Sequence, residues 1–180
     1  MANADNPRGL TPVMSGGNSS SVRIGWYYAS VTTAIFKGDV VQVMATGRVK
    51  SCVTTGGNVY IRGVAGAYNA AGVTPSVKIP VYDDPNTVFT VNSDGTTDPT
   101  AATALADINA TSVLIVTAGS TTTGQSIMEL DYSQITTTTT HPLYIQGFSK
   151  TVDNDPALMH ADYLVTLTRH VGKGGTLASI

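Results

Sequence analysis

From residue 22 onward the sequence is cut into about ten short apolar runs, most of them ended within a few residues by Gly, Pro, Asn or Asp. The runs at 23–29, 40–44, 48–53, 77–82, 88–91, 113–116, 126–130, 143–148 and 163–168 are too short for ordinary helices, and the longer run at 58–68 is interrupted by Gly63 and Gly66. Several alternate with period two, as in Val88 and Thr90 or Tyr163, Val165 and Leu167. Lys37-Gly38-Asp39, Gly47 and the Thr-Thr-Gly-Gly stretch at 54–57 mark turns, and Gly63 and Gly66 mark bulges or bends. The pattern predicts an all-β chain, a compact barrel or sandwich of about ten short strands. Composition agrees. Glu occurs once, Thr 27 times, and charged residues make up 12%, about half the usual share of roughly 25%. Thr and Val are stiff at χ1 and suit a pleated surface. At most one short helix is expected, over 100–107, with Asp98-Pro99 as its start.

Residues 1–21 read differently. Pro7, Gly9, Pro12, Gly16 and Gly17 break any periodicity. The expected organisation is an extended N-terminal arm over 1–21 and a single β domain over 22–180. Leu10, Val13 and Met14 give the arm something apolar to bury on a partner, the plainer alternative being a disordered terminus.

Net charge is −2, which favours neither nucleic acid nor membrane as a partner. Its distribution is uneven. Residues 1–78 carry seven Lys or Arg against Asp5 and Asp39, and residues 79–149 carry seven acids with no Lys or Arg. The two halves are candidates to meet within one chain or between neighbours. The single Cys52 excludes an internal disulfide, and its strand-like setting favours a buried, inert thiol. Residues 1–20 lack the apolar core of a secretory signal, and no apolar run approaches a membrane span. Synthesis in a cytoplasm is the expectation.

Few residues point to chemistry. His141, His160 and His170 are isolated, and His160-Ala161-Asp162 lacks a second close metal ligand. Zincin, P-loop and nucleophile-elbow motifs are missing. The Gly119 to Gly124 loop lacks the lysine that a phosphate cradle needs. Asp83-Asp84-Pro85-Asn86 offers oxygen ligands without calcium-loop spacing and reads as a turn. Glu129 and Asp131 share a strand face with no partner across a cleft. No catalytic residue, metal or cofactor is expected. Trp26, Tyr27 and Tyr28 cluster after the arm. Trp26 is expected to plug the core and Tyr27 to face the opposite way, with both open to an interface role.

Five segments recur in one order. They are the opening Met1-Ala2-Asn3-Ala4-Asp5-Asn6-Pro7-Arg8-Gly9-Leu10, then Phe36-Lys37-Gly38-Asp39-Val40-Val41, then Gly63-Val64-Ala65-Gly66-Ala67-Tyr68. Val81-Tyr82-Asp83-Asp84-Pro85-Asn86-Thr87-Val88-Phe89 follows, and last Gly119 to Gly124 with Ser126 and Glu129-Leu130-Asp131. Together they resemble the capsid decoration, or head cement, proteins of tailed bacteriophages, most specifically at Val81 to Phe89. The chain departs from that pattern in its few charges and its Thr-rich stretch before His141-Pro142.

The resemblance implies a non-enzymatic protein on the outer face of a virion capsid, bound to the major capsid protein and to itself, a homotrimer ahead of a dimer. Leu10, Val13, Met14, Trp26, Tyr27, Asp83 and Asp84 are the interface residues to examine. A receptor- or glycan-binding module is the alternative, with Tyr68, Tyr82 and Tyr132 as its aromatics.

Overall fold

A computed structural model describes residues 3–15, 22–53, 60–74, 76–95, 98–137 and 141–173. Residues 16–21 of the expected arm, the turn at 54–57 and threonines 138–140 lie outside these. The elements run β1 (Thr11–Ser15), β2 (Ile24–Tyr28), β3 (Val40–Val43), β4 (Val49–Ser51), β5 (Ile61–Ala65), β6 (Lys78–Tyr82) and β7 (Thr87–Asn92). Then come α1 (Ala101–Asp107), β8 (Thr111–Ser112), β9 (Leu114–Ile115), β10 (Glu129–Leu130), β11 (Leu143–Phe148) and β12 (Asp162–Leu167). The chain is all-β, as its short runs predict, with one short helix among the described residues.

Two five-stranded antiparallel sheets, ordered β1-β7-β12-β11-β8 and β2-β6-β5-β3-β4, carry the fold, with β9 and β10 as a small ribbon. The second sheet curls back on itself. Ala29, just past β2, bridges Val49 of β4 in parallel, and the Ser30 N–H donates to the Val49 carbonyl at 2.7 Å. The sheet therefore approaches a small barrel lined by Ala29, Ile35, Val41, Val49, Ala65, Ile79 and Val81. Its other face packs Val40, Ile61 and Val64 against Phe89, Val91, Ile145, Tyr163 and Val165 of the first sheet. Period two sends the neighbours Val40 and Val41 into different cores, and both are fully buried. Each such side chain is worth about 1.5–3 kcal/mol of burial.

The helix is capped two residues later than Asp98. Thr100 caps it, accepting from the Thr103 N–H, because the Asp98 carboxylate is already spent on the Met159 N–H at 2.9 Å. Cys52 is buried.

The expectation of a free arm fails over residues 3–15. Leu10 sits in the main core at 1% exposure, and its N–H donates to the Gly38 carbonyl at 2.9 Å. Gly9 makes this approach possible. It has φ +67°, and a Cβ there would lie 2.5 Å from the Gly38 oxygen. Asn3 bonds the backbone of Asp155, Leu158 and Met159, Arg8 pairs with Asp162 at 2.5 Å, and β1 pairs with β7. The Pro and Gly residues that broke periodicity shape a segment that is threaded into the body. Pro12 sits in β1 at a register shift, where an edge strand tolerates a missing donor.

Asp39 closes the Lys37-Gly38-Asp39 turn by accepting the Phe36 N–H at 3.0 Å. Burial pushes its carboxyl above the usual range, against the pull of the Phe36 N–H and the Ser126 and Ser51 hydroxyls. Burial likewise raises Asp107, beside the Tyr163 hydroxyl. A raised folded pKa favours the protonated form. The contribution is then fully present below the unfolded pKa and lost as pH rises through the folded one. Asp39→Asn is expected to be more stable than the parent at neutral pH. Its stability should also fall less steeply as pH rises from the acid side, with Asp107 keeping part of the slope. Urea denaturation across pH measures both, and parallel curves would remove Asp39 from the account.

Candidate functional site

β2 is an edge strand with an unusual outer side. Pro80 has no N–H, and its carbonyl accepts from Gly66 on the β5 side. Ile79 and Val81 therefore face β2, where they pair with Tyr27 and Gly25. The backbone groups of Ile24 and Trp26 point away from the sheet, while β4 reaches the strand only at Ala29 and Ser30. Ile24, Trp26 and Tyr28 share one face by period two and are 49%, 63% and 50% exposed. Lys78 pairs with Tyr28 on the same face, and its ammonium lies 5.1 Å from the Tyr28 ring centre.

The other edges carry the usual guards against pairing. β1 has Pro12 and a register shift, β4 is three residues long with Lys50, and β8 is two residues long and bridged to Thr136. Between Ile24 and Tyr28, β2 has no charge, no proline and no bulge.

Beneath the strip lies an ionic clamp. Tyr27 points inward, where its hydroxyl donates to Asp83 and accepts from Arg62. Asp83, its side chain 5% exposed, pairs with Arg23 at 2.8 Å and Arg62 at 3.3 Å. Arg62 reaches it from a β-bulge, since Val41 pairs with Gly63 while Gln42 pairs with Ile61. Burial alone would raise the Asp83 carboxyl. The Arg23 and Tyr27 hydrogen bonds and the two guanidinium charges outweigh it and hold the group below the ordinary carboxylate range. Burial, then the Asp83 hydrogen bond, push the Tyr27 hydroxyl up. The clamp fixes one side of β2 so that the other stays presented.

At the first sheet the surface is acidic. Asp5, 3.8 Å from His160, and Asp94 both push up the half-buried Glu129 carboxyl, after burial and against His160. Asp153 lines a polar cleft of about 290 Å³ with Ala4, Asn6, Asn92 and His160. Arg8 lies in the same cleft but is spent on Asp162.

The expected interface residues therefore separate. Trp26 is outside and Tyr27 inside, the reverse of the expected plug, because β6 turns Tyr27 toward the barrel core. Leu10 is withdrawn into the core, and Asp83 is buried in the clamp, so neither offers a contact surface. Val13 is 47% exposed on β1, and Met14 pairs with Val88 through the backbone. Asp84 closes its turn by accepting the Asn86 N–H at 2.9 Å. Asp162 is bonded to Arg8 and Asn92. In the Gly119 to Gly124 loop, the Thr123 and Gly124 N–H groups are bonded to Ser120. Among the described residues no group of His, Cys, Asp or Glu is arranged to hold a metal, and no helix is long and apolar enough to cross a membrane.

Sequence reading named Tyr28 only within the aromatic cluster and did not single out Ile24, Arg23 or Arg62. The signal for the first two was present: Ile24, Trp26 and Tyr28 alternate with Gly25 and Tyr27. The chain is thus an all-β protein with an exposed aromatic strip on a braced edge strand. No family model, curated protein or solved structure matches the chain.

Proposed function

We propose that the chain is a non-enzymatic structural protein of a bacteriophage virion, a decoration protein that binds the outer capsid surface as a homo-oligomer and stabilises the shell. The observation that carries this reading is the strip of Ile24, Trp26 and Tyr28, a rigidly backed docking face. Aromatic anchors of this kind dominate protein interfaces. The order of short motifs through Val81 to Phe89 supplies the capsid setting. A low-charge β body suits repeated docking on many equivalent sites, since charge is depleted from interface cores.

The test is pelleting with empty shells assembled from the major capsid protein alone. Saturable binding and a raised shell disruption temperature are expected. Absence of both would overturn the reading. Glycan binding through the exposed Trp26 and Tyr28 is the alternative, and specific capture on a glycan array without shell binding would favour it.

A further inference from the structure

The strip has a complement on the same chain. Residues 22–78 carry Arg23, Lys37, Arg48, Lys50, Arg62 and Lys78, and their single acid, Asp39, is 1% exposed. The barrel wall that presents Ile24, Trp26 and Tyr28 is therefore apolar with a mainly cationic rim, in which the buried Asp83 offsets part of the charge of Arg23 and Arg62 and Asp84 lies within electrostatic reach of Arg23. Arg23 and Lys78 flank the strip directly, and Arg23 keeps 61% of its side chain exposed while it grips Asp83.

Acids gather elsewhere, around the threaded N-terminal segment. Asp5 is exposed, Asp5 and Asp94 both lie within electrostatic reach of Glu129, and Asp153 shares the cleft wall with Ala4 and Asn6. Asp98 and Asp155 are tied to the same region, to Met159 and Asn3 respectively. Arg8 is neutralised by Asp162, and the exposed Lys150 is the nearby cation along the chain. Val152 is fully exposed next to Asp153 and supplies an apolar point among the acids.

We propose that the β2 strip of one copy docks head to tail on the acidic face around Asp5 and Asp153 of a second copy. Charge complementarity selects this occupant. Strip against strip would bring Arg23 and Lys78 of both copies together, whereas strip against the acidic face pairs opposite signs around an apolar centre. Such a contact is heterologous, so repetition closes a ring or extends a chain. The threaded segment builds the acidic face, which ties the N-terminus to assembly through its fold. The proposal takes up and rests on the self-association of the proposed function, and it is tested without shells so that the two fail separately.

The experiment is sedimentation of the purified full-length protein. The parent should self-associate, and its affinity should fall at least about tenfold near 1 M NaCl, where the screening length is about 3 Å. Trp26→Ser and the double variant Asp5→Lys/Asp153→Lys alter exposed side chains, and circular dichroism checks that each stays folded. Each alone should lose association by at least about tenfold. Mixed, they should form a one-to-one pair, because one strip and one acidic face remain intact between them.

A monomeric parent overturns the proposal, and with Trp26-dependent shell pelleting it hands the strip to the capsid protein. An acidic-face variant that associates like the parent overturns it in favour of strip-to-strip contact. Failure of the mixture to pair also overturns it.

Discussion

Asp83→Ala is expected to lower the unfolding free energy by about 3 kcal/mol, read from urea denaturation at neutral pH. The carboxylate is 5% exposed and stands between Arg23 and Arg62 with the Tyr27 hydroxyl on its second oxygen. Removing it leaves Arg62, whose side chain is 28% exposed, facing Tyr27 with no counter-charge. Arg23 is more than half exposed and adds little to the loss. The figure therefore lies at the lower end of what breaking a buried pair costs. Asp83→Asn keeps acceptors and loses charge, so it should fall between parent and Ala.

The pH dependence has a definite sign. The folded pKa of Asp83 lies below its unfolded value. Its contribution is thus present above the unfolded pKa and is lost as pH falls through the folded one. The parent should lose this part of its stability in acid, and Asp83→Ala should not. A loss below about 0.5 kcal/mol, the scale of an ordinary surface change, would mean the clamp is ornamental. A real loss has a second consequence, because the clamp holds β2: self-association should weaken along with stability.

Leu10→Ala is expected to cost about 3 kcal/mol, since a buried Leu→Ala change removes transfer free energy and leaves a cavity. The side chain joins Val64, Met128 and Leu130 in the main core, and its backbone is pinned to Gly38. A residue in a detachable arm would cost almost nothing. For the same reason, deleting the first fifteen residues should destabilise the β body as a whole, where a dangling arm would leave it intact. An unchanged denaturation midpoint for Leu10→Ala would restore the detachable arm.

Much of the strand inventory was legible because it is local. Turn chemistry at Lys37-Gly38-Asp39 and at Asp84 to Asn86 depends on neighbours in the chain, since the Asp39 and Asp84 carboxylates accept from N–H groups three and two residues away. The N-terminal segment was misread for an equally physical reason. Pro and Gly deny it periodicity, yet its partners, Gly38, Asn92, Asp155 and Asp162, lie far along the sequence. Thr111–Ser112 and Leu114–Ile115 are too short to announce themselves as separate strands. Of the site, Trp26 was visible as an aromatic but its direction was not. Neither Arg62 nor Asp83 signals its partner, because a bulge and a barrel bring them together across twenty-one positions.

The amino-acid sequence by itself determined that this protein is built of short strands, that its charge is scarce and unevenly divided, and that Ile24, Trp26 and Tyr28 lie on one side of a strand. Periodicity and turn stereochemistry act over a few residues and need no partner. Only the tertiary structure decided which side of that strand is covered. The same alternation would bury Trp26 if β6 presented its pairing groups the other way. Instead the Pro80 carbonyl turns to Gly66, Tyr27 enters the barrel to meet Asp83, and Trp26 is left outside.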